Sequence, residues 1–245
     1  MNVAEFSNEF DLLYNNIMSN AAPSINEYEK SVFLTKAQEE IVKNYFNPKG
    51  NKYGEGFDDS IKRQSDFSQL ISTDIYPGGT ITKLSFGNSI DSRSIFFTLP
   101  LDLLFILNES VLINDSGKTV ITQVVPLRYE EYTRLMNKPY KEPLKNQSWR
   151  LLSQHGGNKK TEIIIKSGAT LSKYLVRYLK RPEPIILVNL TSEYNGATIN
   201  NRSTAMTCQL DESLHREILN RAVELAKMSY LGDIKGIIEL NSRGE

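Results

Sequence analysis

A single cysteine, Cys208, stands in 245 residues, and the chain has only two histidines, His155 and His215. One thiol excludes a disulfide within the chain and any zinc site built mainly from cysteine. No HxH, HxxxH or HExxH spacing occurs, so carboxylates would have to supply nearly every ligand of a metal centre. No metal and no cofactor are expected. An excess of one charge is also missing: Lys plus Arg and Asp plus Glu both number 29. A dedicated nucleic-acid binder usually carries a basic excess, so that class is disfavoured. Zero net charge also removes the repulsion that keeps copies apart, which permits self-association. Long apolar runs are absent. The longest, "LPLDLLFIL", is interrupted by Asp102 and falls short of the ~18 residues of a membrane span. The start, "MNVAEFSNEFDLLYNN", lacks a basic stretch followed by an apolar one. No secretion signal and no membrane partner are expected, and synthesis in a cytoplasm is.

What is present is ordinary for a globular protein, with 40% apolar and 24% charged residues. The first 75 residues read as helices. Phe6, Phe10, Leu13, Tyr14 and Ile17 make an amphipathic stripe. Ser24 with Glu27 has the spacing of a reciprocal cap, and Thr35 with Gln38 repeats it, which predicts two helices in series. A third helix is expected from Asp59 to about Ser72, with Ile61, Phe67, Leu70 and Ile71 inward. From about Thr80 the apolar period becomes two. "TITKLSF", "RSIFFTL", "TEIIIKSG", "SKYLVRYL", "EPIILVNL" and "STAMTCQL" read as strands, and Asp115, Ser116 and Gly117 mark a hairpin. "PLDLLFIL" reads as a helical turn, since proline suits a first helical position, and "RYEEYTRLMN" as a short helix ended by Pro139. Asp211 caps the last helix, which runs to about Leu231. The fold class is therefore α+β: N-terminal helices, a central, largely antiparallel sheet region and a long C-terminal helix. The domain reading is 1–75 helical and 76–245 β-rich with the C-terminal helix, or one continuous domain.

The search for chemistry starts at "CQLDESLHREILNRAVELA", the one stretch with a thiol near an imidazole. A cysteine nucleophile needs its base in space, normally from a distant part of the chain. Here the spacing puts His215 just inside the helix that Asp211 starts, with Glu217 and Arg221 as an outward pair, so His215 reads as a partly buried structural residue and Cys208 as a small hydrophobe. Gly50, Gly54 and Gly56 in "GNKYGEGFDDS" match no phosphate-binding spacing, and Asp58 and Asp59 read as charges at a helix start. "KYLVRYLKRPEP" is basic and aromatic. Strand alternation puts Tyr174, Val176 and Tyr178 on one face and Leu175, Arg177 and Leu179 on the other, while Pro182 and Pro184 push the run toward a sheet edge. Such an edge can receive another subunit, and tyrosines beside arginines can hold a nucleic-acid strand. Tyr174, Arg177, Tyr178, Lys180 and Arg181 are therefore the candidate interface or DNA-facing residues. No catalytic residue is assigned and no enzyme is expected.

Four stretches together carry a resemblance: "SNAAPSINEYEKSVFLTKAQEEIVKNYF", "VVPLRYEEYTRLMNKPYKEPLKNQSWRLL", "YLVRYLKRPEPIIL" and "CQLDESLHREILNRAVELA". In this order the chain resembles the virion ring proteins of crAss-like bacteriophages, over roughly Ser19 to Leu231. The resemblance implies a structural subunit of the head-to-tail connector of a podovirus-like phage. Copies would form a ring, twelve-fold in the family, below the portal protein and beside other connector and tail rings, with double-stranded DNA passing through the centre. The chain would be made in the bacterial host and reside in the virion. The competing reading is a phage-encoded nucleic-acid-binding factor or enzyme acting in the infected cell, with "KYLVRYLKR" or Asp58 and Asp59 as its site.

Overall fold

Reciprocal caps open two of the helices in the computed structural model, which describes residues 1–15, 24–46, 61–77, 94–136, 138, 141–155 and 158–231. In chain order the elements are α1 (Val3–Asn15), α2 (Glu27–Phe46), α3 (Ile61–Asp66), a 3-10 turn (Ser68–Leu70), β1 (Ile71–Pro77), β2 (Ser94–Thr98), β3 (Leu103–Asp115), β4 (Lys118–Pro126), α4 (Tyr129–Met136), β5 (Gln147–His155), β6 (Asn158–Ile164), β7 (Thr170–Lys180), α5 (Leu190–Glu193) and α6 (Glu212–Leu231). This is the α+β order that the apolar periods predict. Two compact units form, one from residues 1–70 with 181–245 and one from 71–180. Ile17, the glycine loop with Asp58 and Asp59, the expected strand "TITKLSF" and Pro139 lie outside the described residues.

The helical unit packs α1 and α2 against α6. Phe6, Phe10 and Tyr14 of the predicted stripe are buried, as are Leu34, Ala37 and Ile41 of α2 and Leu214, Ile218, Leu219 and Ala222 of α6. Asn2 caps α1: its side chain accepts from the Glu5 amide and Glu5 accepts from the Asn2 nitrogen, both at 2.8 Å. The cap of α2 falls at Asn26 and Glu29, at 2.8 and 3.0 Å, and not at Ser24 and Glu27. Nor is α2 two helices in series. No glycine or proline interrupts it, and Thr35 lies buried in its middle with its hydroxyl turned to Ile185. Lys30 is 3% exposed and bonds Asp11 and Glu27, each at 2.7 Å, tying α1 to α2. Arg221 does not pair with Glu217. It forms a two-pronged bridge to Glu40 on α2 at 2.7 and 3.0 Å, while Glu217 accepts from the Tyr45 hydroxyl at 2.5 Å.

Among the described residues the segment "EPIILVNL" joins no sheet. Its residues 183–187 run beside α2 and Leu190 already opens α5; only Ile186 makes a strand-like bridge, to Met206, which is also the one bridge that "STAMTCQL" forms there. Its backbone is satisfied by a polar stripe of α2. Ser31 accepts from the Leu187 amide at 3.0 Å, Thr35 accepts from the Ile185 amide at 3.2 Å and donates to the Ile185 carbonyl at 3.3 Å, and Gln38 donates to the Glu183 carbonyl at 2.8 Å. Buried amides and carbonyls need partners, and helix side chains at i, i+4 and i+7 supply them here in place of a strand.

The second unit is a seven-stranded sheet in the order β1-β7-β3-β4-β5-β6-β2. Every neighbouring pair is antiparallel except β4 with β5. That parallel pair needs a crossover, and α4 lies in it, setting Tyr132 against Trp149, Leu151 and Ile164. The sheet curls. Phe97 of β2 comes within 5.7 Å of the Tyr76 ring on β1 and 4.8 Å of Tyr174, so the two ends of the strand order meet over a core that includes Val111, Ile113, Ile163, Val176 and Tyr178. The hairpin about Ser116 and Gly117 forms as expected. Their φ values of 55° and 80° suit a two-residue turn between right-twisted strands, and glycine takes the second value without strain.

Three expectations fail in this region. "PLDLLFIL" supplies only a turn, with the Leu103 amide on the Pro100 carbonyl at 3.3 Å, before entering β3. Its leucines gain more from lying beside β7 than from one helical turn. The third helix stops at Asp66, and Ile71 already belongs to β1, while Ile61 is 86% exposed instead of inward. β7 is no edge: it lies between β1 and β3, and Pro182 and Pro184 come after its last ladder residue.

Candidate assembly surface

β3 is longer than the strand it pairs with. Its residues 110–115 pair with β4, but among the described residues its 103–109 half has a ladder partner on one side only, β7. On its other edge β4 pairs through residues 123–126 with β5, while its ladder with β3 ends at Gln123. The two strands part, and a groove of about 670 Å³ opens between them, with Ile106, Asn108 and Glu109 on one wall and Ile121, Val124 and Pro126 on the other.

Arg150 spans the groove, its Nη1 donating to Oε2 of Glu109 at 2.6 Å. The Tyr174 hydroxyl donates to the other carboxylate oxygen. The two charged side chains are only 12% and 6% exposed. Burial pushes the Glu109 carboxyl above its ordinary range despite the guanidinium beside it, and burial together with the Glu109 charge pushes the Tyr174 phenol far up. The Nε of Arg150 is buried and has no acceptor among the described residues. The sequence reading passed over Glu109 and Arg150. Glu109 shares an alternation with Val111 and Ile113, so a carboxylate on the buried face of a strand was the signal to follow.

Of the residues singled out in the sequence, Tyr174 and Tyr178 point inward and are covered by the sheet core, so neither offers a ring face for stacking. Tyr178 reaches Asp74 at 3.4 Å. Arg177 is exposed on the opposite face of β7, opposite Thr73 and Asn108 in the ladders. Lys180 is half-buried at the strand's end, and Arg181 is exposed.

Cys208 and His215 each have another partner. The thiol donates to the Gln38 side-chain oxygen at 3.3 Å, and burial pushes its pKa up to about 11. His215 is buried, with Nε2 donating to the Leu210 carbonyl at 3.0 Å and the ring packed on Phe6, and burial lowers its pKa. A thiol held in its neutral form is a poor nucleophile. Alkylation of native protein by iodoacetamide at neutral pH should therefore run at least ~10-fold slower than that of free cysteine. A rate equal to or above the free thiol's, read by mass spectrometry, would restore the reactive reading. Among the described residues no cluster of His, Cys, Asp and Glu could hold a metal ion, and no helix is long and apolar enough to cross a membrane.

Comparison with known proteins gives this surface a context. The family model described as phage tail ring protein 3/4 matches residues 1–235. Ring protein 4/5 of Bacteroides phage crAss001 is 54% identical over 245 residues, covering 100% of both chains. Ring protein 3 of the same phage is 34% identical over 229 residues, covering 92% of this chain and 94% of its own. The four sequence stretches and the full-length matches agree: the chain belongs to the phage tail ring protein 3/4 family of crAss-like phages.

Proposed function

We propose that the chain is a non-enzymatic subunit of the connector between head and tail, many copies closing a ring below the portal around a channel for double-stranded DNA. Twelve copies is the number that the resemblance implies. The observation that carries the reading is the likeness to ring proteins along the whole chain. Composition supports it: a channel that must let DNA slide gains nothing from strong phosphate binding, and the net charge is zero. Ring closure needs one face of a subunit to meet a different face of the next. Arg177, Lys180 and Arg181 are proposed to face a neighbouring subunit or the DNA, with Tyr174 and Tyr178 fixing β7 from within.

Imaging of purified virions, with this chain labelled by a small inserted tag, tests the proposal. The expected result is a label ring at the portal vertex, coaxial with the tail. A label elsewhere in the particle removes the connector assignment, and particles free of the chain remove the structural role altogether.

A further inference from the structure

We propose that the outer face of the sheet, where β1, β7, β3 and β4 run side by side, docks the outward side of α1 of a second copy of this chain. The proposal rests on the ring reading, since it names the contact by which one subunit holds the next. The zero net charge conceals a split. Residues 71–180 carry 15 Lys and Arg against 9 Asp and Glu, so the rest of the chain carries 14 against 20. The sheet unit is thus basic by the same margin by which the helical unit is acidic. Part of the basic excess surfaces on one face of the sheet. Tyr174, Val176 and Tyr178 fill the core, so Lys173, Leu175 and Arg177 of β7 point outward. The ladders set Ile75 of β1 opposite Leu175, and Leu112 of β3 opposite both Lys173 and Ile121 of β4. Ile75 is 59% exposed and Ile121 69%. Lys173 and Arg177 are exposed, and their ladder neighbours on β1 and β3 are uncharged. Farther along the same face α4 sets Tyr132 against Trp149 and Ile164, the usual way in which a helix covers a sheet. No helix among the described residues covers Ile75 or Ile121 in that way.

The occupant follows from charge and apolarity together. α1 holds Glu5, Glu9 and Asp11 and no Lys or Arg. Its inner stripe is buried, so Glu9 and Leu12, three residues apart, share the outward side, where Leu12 is 61% exposed. Glu9 is exposed and has no partner among the described residues. No other helix of that unit offers both features: α2, α5 and α6 expose no large apolar side chain among the described residues, and Ile61 of α3 is followed by Lys62 and Arg63. Leu12 therefore packs beside Ile75, and Glu9 faces Arg177. DNA is the poorer occupant, because its phosphates would gain from Lys173 and Arg177 but leave Ile75 and Ile121 in water. Opposite charge on the two units also selects the symmetry. Sheet against sheet and helix against helix repel, so copies associate head to tail, the arrangement that a closed cycle requires.

The test places the photo-reactive residue p-benzoylphenylalanine at position 12, in full-length chain supplied to infected cells as its sole source, and irradiates purified particles. The expected product is a dimer cross-linked from position 12 of one copy to β1, β7, β3 or β4 of another. Particles that contain the chain but give cross-links to another virion protein, to a different part of the second copy, or none, overturn the docking and leave the ring reading standing. Particles of the unaltered phage that lack the chain overturn both. Charge reversal gives an independent reading. Arg177→Glu and Glu9→Lys should each lower incorporation into particles at least ~10-fold at unchanged melting temperature, because like charges then meet at an exposed site. Combined in one chain they should restore incorporation to within ~3-fold, since every interface regains an opposite pair. Loss without recovery puts Arg177 against DNA or another protein and overturns the docking, as does incorporation that neither single change lowers.

Discussion

Arg150→Met should destabilise the curled sheet by about 3–5 kcal/mol near neutral pH and by much less at about pH 4. Among the described residues the guanidinium is the only charge that bonds Glu109, a carboxylate 6% exposed and 2.6 Å away. Methionine fills a similar volume without charge, so the loss measures a buried anion left alone rather than a cavity. The pH dependence follows from the direction of the Glu109 shift. Its pKa is raised above the ordinary 4.5 by burial, so the folded state holds the proton more tightly than the unfolded chain does. The stability linked to that proton is fully present below the unfolded pKa and is lost as pH rises through the folded one. Removing Arg150 takes away a group that lowers this pKa, so the folded value climbs and the loss widens with pH. At about pH 4 the acid is neutral and has little need of the guanidinium. Urea unfolding of both proteins at the two pH values reads the difference. An equal loss at both would mean that Arg150 acts through packing alone. Glu109→Gln, which keeps an acceptor for the Tyr174 hydroxyl, should flatten the pH dependence while leaving Arg150 unpaired.

How much of this was legible in the sequence depended on the range of the interaction. The Phe6, Phe10 and Tyr14 stripe, the Ser116–Gly117 turn and the Asp211 cap are set by neighbours within a turn or two, and each appears where the spacing put it. The ring family was legible as well, because text patterns survive where physics is silent. Pairings between distant segments were not. Nothing near Arg150 announces Glu109, 41 residues away, and nothing near Pro182 says that β7 will be flanked on both sides. Pro182 and Pro184 argue for a sheet edge only where they interrupt a ladder, and both come after Lys180, the last residue of β7. β1 and β5 escaped because "ISTDIYP" and "QSWRLLSQH" mix polar and apolar residues too loosely for a clean period of two. The segment "EPIILVNL" is the opposite case. Its letters are those of a strand and its backbone is extended, but its hydrogen bonds go to a helix.

That substitution of helix for strand makes the strongest demand on single side chains in the helical unit. Thr35→Val should cost roughly 2–6 kcal/mol, because it orphans two buried groups at about 1–3 kcal/mol each. The Thr35 hydroxyl accepts from the Ile185 amide and donates to the Ile185 carbonyl, and Ile185 is fully buried. Valine has the same shape, so no cavity term enters and the whole loss falls on the hydrogen bonds. Thr35→Ser keeps the hydroxyl and gives up one methyl, which sets the control near ~1 kcal/mol. Ser31→Ala should behave as a half-sized version, orphaning only the Leu187 amide. Because both residues anchor one segment, the double variant should lose less than the sum once that segment detaches. Chemical denaturation gives the energies, and hydrogen exchange at the Ile185 and Leu187 amides gives the location. If Thr35→Val matches Thr35→Ser in stability and leaves the Ile185 amide protected, then another acceptor holds the segment and α2 is not its ladder. If the amide exchanges early while the curled sheet stays closed, the polar stripe of α2 is the device that lets an extended segment be buried outside any sheet.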